Sequence, residues 1–126
     1  EREIAMIVRQ RNASEPFATK DGSTIRSLLD RANAPVEKQS LAEATIPPGT
    51  RTQPHYHALT EEFYYVIEGA GTMRIDAEET RVAEGDAILI PAGAVHTLHN
   101  EGPGELRILC CCAPPYSHED TYLVED

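Results

Sequence analysis

The sequence predicts an all-β protein, either an antiparallel β-sandwich or a β-barrel. From residue 36 onward, short segments of alternating or β-branched residues follow one another, as is typical of strands. Turns that contain glycine or proline separate these segments at regular intervals. The chain has 126 residues, of which 40% are hydrophobic, so it fits one domain with one folded core.

The first 35 residues show a weaker pattern than the rest of the chain. Alternating apolar residues predict a strand at residues 4–8. Ser23 is placed to cap a short helix at residues 24–31, because the apolar residues of this segment fall on one helical face. We therefore expect residues 1–35 to form an N-terminal strand and a short helix or turn that pack on a barrel made by residues 36–126.

The rest of the chain reads as a succession of strands. Strands are predicted at residues 40–46, 51–57, 62–67, 72–76, 80–82, 87–90, 95–100 and 105–112. The segment 51–57 is polar and is equally compatible with an extended loop. No linker, repeat or low-complexity tract interrupts the pattern, which predicts one domain overall.

The charge of the chain excludes several classes of partner. The formal net charge is −10, so nucleic acids and anionic membranes are poor partners. The longest apolar runs are far too short to cross a bilayer. The first residues lack the basic and apolar regions of a secretory signal, so we expect a cytoplasmic protein.

The three cysteines are consecutive, at positions 110, 111 and 112. In a strand, Cys110 and Cys112 face one side and Cys111 faces the other. Neighbouring cysteines rarely satisfy disulfide geometry, and an odd cluster of thiols fits a reducing cytoplasm. A redox or metal role is one interpretation, but three small buried side chains on a core strand are the favoured one.

Three histidines and a glutamate carry the chemical interest of the sequence. His55 and His57 lie two residues apart, so a strand presents both imidazoles on one face. A carboxylate follows at Glu61 or Glu62, and alternation alone does not decide between them. A distant predicted strand adds His96. Three imidazoles and one carboxylate suit a single divalent ion of iron, manganese, nickel, cobalt, copper or zinc.

Other polar residues are expected near this cluster. A regular strand from residue 51 places Arg51 and Gln53 on the face of the two imidazoles, where we expect them to bind substrate. Tyr64 shares the face of Glu62 and is the candidate catalytic side chain. His99 has the opposite parity to His96 and is expected outside the site.

Both histidine segments resemble the two signature motifs of the cupin superfamily. The first motif has Gly, five residues, His-x-His, four residues, Glu, six residues and Gly, and the matching residues are Gly49, His55, His57, Glu62 and Gly69. The second has Gly, five residues, Pro-x-Gly, two residues, His, three residues and Asn, and the matching residues are Gly85, Pro91, Gly93, His96 and Asn100. The match covers residues 49–100 and selects Glu62 over Glu61.

The resemblance implies a small single-domain cupin, a double-stranded β-helix of jelly-roll type that pairs as a homodimer. It implies one divalent transition metal held by His55, His57, Glu62 and His96. The tail at residues 110–120 is also similar to small cupins described as sugar-phosphate-isomerase-like. On this basis we expect an oxidoreductase such as a dioxygenase, an isomerase or a lyase, acting on a small oxygen-rich metabolite such as a sugar derivative or a keto or hydroxy acid. The alternative is a non-catalytic domain that binds a small ligand or serves as a structural dimer.

Overall fold

Two antiparallel sheets form the architecture in a computed structural model that describes residues 5–125. The strands within these residues are β1 (Phe17–Ala18), β2 (Thr24–Leu29), β3 (Ser40–Ile46), β4 (His55–His57), β5 (Glu61–Glu68), β6 (Ala70–Ile75), β7 (Glu78–Ala83), β8 (Ala87–Ile90), β9 (His96–His99), β10 (Leu106–Ala113) and β11 (Thr121–Leu123). One sheet has the order β1-β2-β3-β10-β5-β8, and the other has the order β11-β4-β9-β6-β7. Facing sheets of this kind make the predicted jelly-roll barrel.

The hydrophobic core fills the space between the sheets. It consists of Ala44, Ile46, Tyr64, Val66, Met73, Val82, Ile90, Ala94, Leu98, Leu106, Ile108 and Cys110. The strict alternation along β5 shows how the sequence selects this core, since Glu62, Tyr64 and Val66 are buried while Phe63 and Tyr65 are exposed. Cys110 and Cys112 are likewise buried on β10, with Cys111 half-buried on the other face and all three thiols free.

Most strands lie within two residues of the positions that the sequence predicts, but the helix at residues 24–31 is wrong. This segment forms β2, which pairs with β3 through Ile25 opposite Ala44 and with β1 through Ile25 opposite Phe17. The register shifts between Ser27 and Leu29. This bulge allows a strand to accommodate apolar residues that are spaced as on one face of a helix. Pairing with an existing sheet therefore overrides the local pattern.

The predicted strand at residues 4–8 lies partly outside the described residues. Ile4 is not among them, and residues 5–10 belong to no strand. A short 3-10 turn at Arg11–Ala13 follows, and Arg11 bonds to Glu43 of β3. The N-terminal region thus joins the first sheet through the β1–β2 hairpin rather than through a helix. The division between residues 1–35 and 36–126 stays a prediction.

The C-terminal tail closes the second sheet. A 3-10 turn at His118–Asp120 leads into β11, which pairs with β4 across all three residues of each strand. β4 carries two of the predicted metal ligands, so the tail supports the strand that forms one side of the site. Among residues 5–125, no helix is long and apolar enough to span a membrane.

Candidate metal centre

The predicted ligands come together from three strands and both sheets. His55 and His57 lie on β4, and His55 is paired directly with His96 at the start of β9. Glu62 reaches the same region from β5 of the other sheet. All four residues are buried, each at most 5% exposed. Glu61 is exposed on the opposite face of β5, which agrees with the choice of Glu62 that the motif makes.

The three imidazoles form a compact group. Their potential ligand atoms lie within 4.8 Å of one another, which is close enough to hold one metal ion. Oε1 of Glu62 lies 3.3 Å from Nε2 of His57 and 3.6 Å from Nε2 of His96. Ligand atoms about 2.1 Å from one ion lie about 3.0–3.4 Å apart at octahedral or tetrahedral angles. The observed spacing is therefore close to that of a shared coordination sphere.

Backbone carbonyls fix the orientation of each ring. Nδ1 of His55 lies 2.8 Å from the carbonyl oxygen of Gln53, and Nδ1 of His96 lies 3.0 Å from that of Ala94. Nδ1 of His57 faces the carbonyl oxygen of Asp120 at 3.3 Å. A carbonyl only accepts, so Nδ1 carries the proton in each neutral ring and Nε2 presents its lone pair to the shared centre.

Two buried acceptors at this centre have no hydrogen-bond partner among the described residues. They are Oε1 of Glu62 and Nε2 of His96. Leaving such groups unpaired in a buried position costs about 1–3 kcal/mol each. A cation bound between them removes this penalty, and the mixed nitrogen and oxygen donor set fits a divalent transition metal.

The electrostatics of the cluster lower the pKa values of His55 and Glu62 and so keep both in the forms that bind metals. Burial, helped by the nearby His96, lowers the pKa of His55 to about 4, so its ring is neutral at neutral pH. Burial opposes ionisation of Glu62, but the adjacent imidazoles of His57 and His96 outweigh it and lower the pKa of Glu62 to about 2. Burial also lowers the pKa of His57, yet the nearby carboxylate of Glu62 outweighs burial and raises that pKa, so a metal competes with a proton for this ring. The carboxylate therefore stays ionised.

A cavity extends from the metal centre into the barrel. Its walls are mostly apolar and come from Phe17, Ile25, Leu41, Ala42, Ala44, Ile46 and Ile108. Tyr64 and Tyr116 add phenol groups, and Tyr64 packs edge-on against His96 with ring centroids 5.9 Å apart. Burial raises the pKa of Tyr64 well above its usual range, so Tyr64 stays a protonated phenol. The cavity thus combines the polar metal centre with mostly apolar walls, and polar side chains such as Ser27 and Asp30 also line it.

Arg51 and Gln53 do not share the face of the imidazoles, so that expectation is wrong. Both are exposed, while the intervening Thr52 and the following Pro54 are buried. Pro54 interrupts the alternation just before β4, and the parity of the chain changes there. Arg51 and Gln53 instead line a shallow outer pocket next to the site. Their role as substrate contacts stays a prediction.

The structure adds three residues that the sequence did not single out for the site. Asp21 of the β1–β2 turn places Oδ2 3.4 Å from Nε2 of His55. Tyr116 packs against His57 with ring centroids 6.1 Å apart. Asp120 accepts hydrogen bonds from the backbone N–H groups of residues 58–60, directly after β4. Each lies far from the motifs in sequence, so spacing carries no signal for it.

The chain is similar in sequence to several known proteins. A family profile described as Cupin domain matches residues 42–112. An uncharacterized protein of Methanocaldococcus jannaschii is 50% identical over 111 residues, which cover 88% of this chain and 89% of the relative. The tetracenomycin polyketide synthase protein TcmJ of Streptomyces glaucescens is 26% identical over 95 residues, which cover 75% of this chain and 64% of that protein.

Solved structures share the fold. The Streptomyces protein PAC13, solved with uridine, has a TM-score of 0.78 at 17% identity, with 97% of this chain and 93% of that chain covered. It is described as a nucleoside dehydratase. The polyketide cyclase RemF from Streptomyces resistomycificus has a TM-score of 0.76 at 24% identity, with 97% and 87% covered. Because the family profile spans more than half of the sequence and contains all four predicted ligands, this chain belongs to the cupin family.

Proposed function

We propose that this protein is a mononuclear metal-dependent enzyme that acts on a small oxygen-rich molecule. One observation carries the proposal, which is the meeting of three buried imidazoles whose Nδ1 atoms all face carbonyl oxygens. Such an arrangement aims three Nε2 lone pairs at one point, and Glu62 adds a carboxylate oxygen beside them. Four protein ligands leave one or two positions open, as a catalytic centre requires.

The residues around the centre have separable roles in this proposal. His55, His57, Glu62 and His96 hold the metal, which supplies a Lewis acid that polarises a carbonyl or stabilises an enolate. Tyr64, kept protonated because burial raises its pKa, donates a hydrogen bond to the bound molecule. The apolar walls exclude water and orient the part of the substrate that carries no oxygen. These roles suit an isomerase or a lyase, and an oxidoreductase uses the same donor set.

The lining of the cavity and the similar proteins support a substrate class. A metal centre within mostly apolar walls favours a molecule that carries hydroxyl or carbonyl groups as well as apolar surface. PAC13 is described as a nucleoside dehydratase and RemF as a polyketide cyclase, so this fold accepts both sugar-bearing and polyketone molecules. We infer that a sugar derivative or a keto or hydroxy compound binds here. Arg51 and Gln53 are proposed to meet its polar end from the outer pocket.

Metal content is the direct test of the proposed centre. Elemental analysis of untagged protein should find about one transition-metal ion per chain. His96→Ala should lose the metal, while His99→Ala should retain it, because His99 lies on the same strand but is paired with Glu101 at the surface. Equal metal content in the two variants, or no metal in wild-type protein after reconstitution, would overturn the proposal.

Turnover separates an enzyme from a binding domain. Once a substrate is found among hydroxy and keto compounds, Tyr64→Phe should lower kcat with little change in KM, because Phe keeps the packing and removes the donor. Tyr65→Phe on the exposed face of the same strand is the matched control. Metal-loaded protein that binds such compounds without converting any of them would favour the non-catalytic alternative.

We also propose a homodimer in a reducing cytoplasm. Phe63 and Leu89 are direct neighbours on β5 and β8, and both are more than half exposed, with Tyr65 beside them. This outward apolar patch at the edge of the first sheet suits a two-fold contact. Size-exclusion chromatography with light scattering should give twice the chain mass, and Phe63→Glu should give a monomer.

A further inference from the structure

A carboxylate from outside both motifs reaches one member of the imidazole group, His55. Asp21 lies in the turn between β1 and β2, and its side chain is 12% exposed. Oδ2 of Asp21 lies 3.4 Å from Nε2 of His55, and Asp21 lines the cavity together with His55, His57 and Glu62. The family profile begins at residue 42, so this residue belongs to the part of the chain that precedes it.

The turn that carries Asp21 is held firmly against the site. Oδ1 accepts from the hydroxyl of Thr19 at 2.7 Å and from the backbone N–H and the hydroxyl of Ser23 at 2.9 and 2.6 Å. The carbonyl oxygen of Asp21 accepts from the N–H of Gln53 at 2.7 Å. Lys20 donates to the carbonyl oxygens of His118 and Thr121 in the tail. One oxygen of the carboxylate is thus used to build the turn, and the other is aimed at His55.

The contact between Asp21 and His55 joins two acceptors. Nδ1 of His55 faces the carbonyl oxygen of Gln53, so the neutral ring carries its proton there and Nε2 has only a lone pair. Two lone-pair atoms facing each other at 3.4 Å repel unless a cation lies between them. Glu62 makes the same kind of contact with His96 at 3.6 Å. The contact between Asp21 and His55 is therefore of the same kind as the contacts of Glu62 with His57 and His96.

We propose that Asp21 is a fifth protein ligand of the metal centre. The inference rests on the proposed metal-binding function and extends it, because it gives the β1–β2 hairpin a role in the site. Two carboxylates together offset both charges of a divalent ion, so the loaded centre has little net attraction for an anion. Neutral hydroxyl or carbonyl compounds are favoured over carboxylates at the remaining open position.

Metal affinity of the Asp21→Asn variant tests the assignment without any activity assay. The amide retains an oxygen for the turn while it replaces the oxygen that faces His55. Competition titration with Co²⁺ against a coloured chelator should show affinity weakened at least about tenfold, together with a changed Co²⁺ absorption spectrum. Asp30→Asn is the matched control, since Asp30 lines the same cavity and uses Oδ1 to accept from the N–H groups of Ala32 and Asn33. It should behave as wild type.

A second readout separates ligation from a structural role. At saturating Co²⁺, azide should bind at least about tenfold more tightly to Asp21→Asn than to wild type, because a negative ligand has been removed. Unchanged Co²⁺ affinity, spectrum and azide affinity would overturn the inference while leaving the metal centre itself intact. No Co²⁺ binding by wild type would instead refute the proposed function. If Asp21→Asn does not fold, Asp21→Ser keeps an oxygen that caps the turn and removes Oδ2, so the same measurements apply.

Discussion

At the scale of single residues, the proposed metal centre depends on the groups that form hydrogen bonds with its ligands. Cys112 illustrates this, because its thiol donates to Oε2 of Glu62 at 3.4 Å while Oε1 faces the imidazoles. Burial, together with the nearby Glu62, raises the pKa of the Cys112 thiol far above its usual range, so the thiol keeps its proton and donates it to Glu62. The thiol thus orients a proposed metal ligand.

This contact gives a prediction for Cys112. Cys112→Ala should weaken metal affinity about tenfold, as loss of a hydrogen-bond partner of a metal ligand commonly does. Cys112→Ser should retain most of the affinity, because a hydroxyl also donates to Glu62. Cys110→Ala provides the control, since Cys110 lies in the core on the same face of β10. Titration of the three variants with one metal measures the effect, and equal affinities for the Ala variants at positions 110 and 112 would contradict it.

Single residues also show what spacing can and cannot predict. Histidines two residues apart on a strand share a face whatever the rest of the chain does, so His55 and His57 were predicted correctly to lie together. The same parity failed for Arg51 and Gln53 because Pro54 lies between them and β4. Asp21 carried no signal, since only the pairing of β2 with β3 brings its turn to the site.

At the scale of elements, the C-terminal tail acts as a support for β4. Asp120 accepts from the N–H groups of Ala58, Leu59 and Thr60, and its carbonyl oxygen faces Nδ1 of His57. β11 then pairs along β4. The tail was not predicted as structure because a three-residue strand after a polar segment has no periodicity to detect.

We expect Asp120→Ala to weaken both the fold and the metal site. Loss of the carboxylate leaves three N–H groups without their acceptor and should lower the free energy of unfolding by about 1–3 kcal/mol. Displacement of His57 should reduce metal affinity about tenfold. Urea denaturation of metal-free protein and metal titration measure the two effects separately. Glu119→Ala is the control, because Glu119 is exposed and bonds only locally with Ser117. Wild-type affinity in Asp120→Ala would show that the tail does not position His57.

The N-terminal segment is anchored to the barrel by an ion pair on β3. Glu43 is buried and accepts from Arg11 at 2.9 and 3.0 Å and from Arg107 at 3.3 Å. The hydrogen bond with Arg11 is the main cause that lowers the pKa of Glu43 below its ordinary value of 4.5. A carboxyl whose pKa is depressed by folding stabilises the protein above its unfolded pKa, and this contribution disappears as the pH falls through the folded pKa.

The stability of Glu43→Gln should therefore depend on pH. At pH 7 the variant should be less stable than wild type by about 1–3 kcal/mol, because charged hydrogen bonds are lost. The difference should shrink as the pH falls below about 4.5, where Glu43 of the unfolded chain begins to bind a proton, and should vanish below the lower pKa of folded Glu43. Urea denaturation at several pH values measures this. Glu78→Gln at an exposed site on β7 should be as stable as wild type at every pH tested. A difference that stays constant down to pH 2 would contradict the assignment.

At the scale of the whole molecule, the core and the metal centre are distinct parts of one barrel. The cluster of buried apolar residues joins both sheets, and most strands from β3 to β10 are predicted by alternation or by β-branched composition, whereas the polar β4 was equally compatible with an extended loop. The metal centre is buried in the same barrel but adds unpaired acceptors, which oppose folding. The apolar pattern thus determines the fold. The unpaired acceptors of the site destabilise that fold, and a bound cation removes the destabilisation.

This division predicts how the protein responds to its metal. The metal-free chain should remain folded, with its β-sheet circular dichroism intact, because the apolar core does not depend on the site. Free metal at about 100 times its Kd should add about 2.7 kcal/mol to the free energy of unfolding, since binding is confined to the folded state. For a domain of this size, that addition should raise Tm by about 10 °C. Differential scanning calorimetry over a series of metal concentrations should show Tm rising with the logarithm of concentration. His96→Ala should lose this dependence and His99→Ala should keep it. A metal-free chain that is unfolded would show instead that the centre is needed to form the barrel.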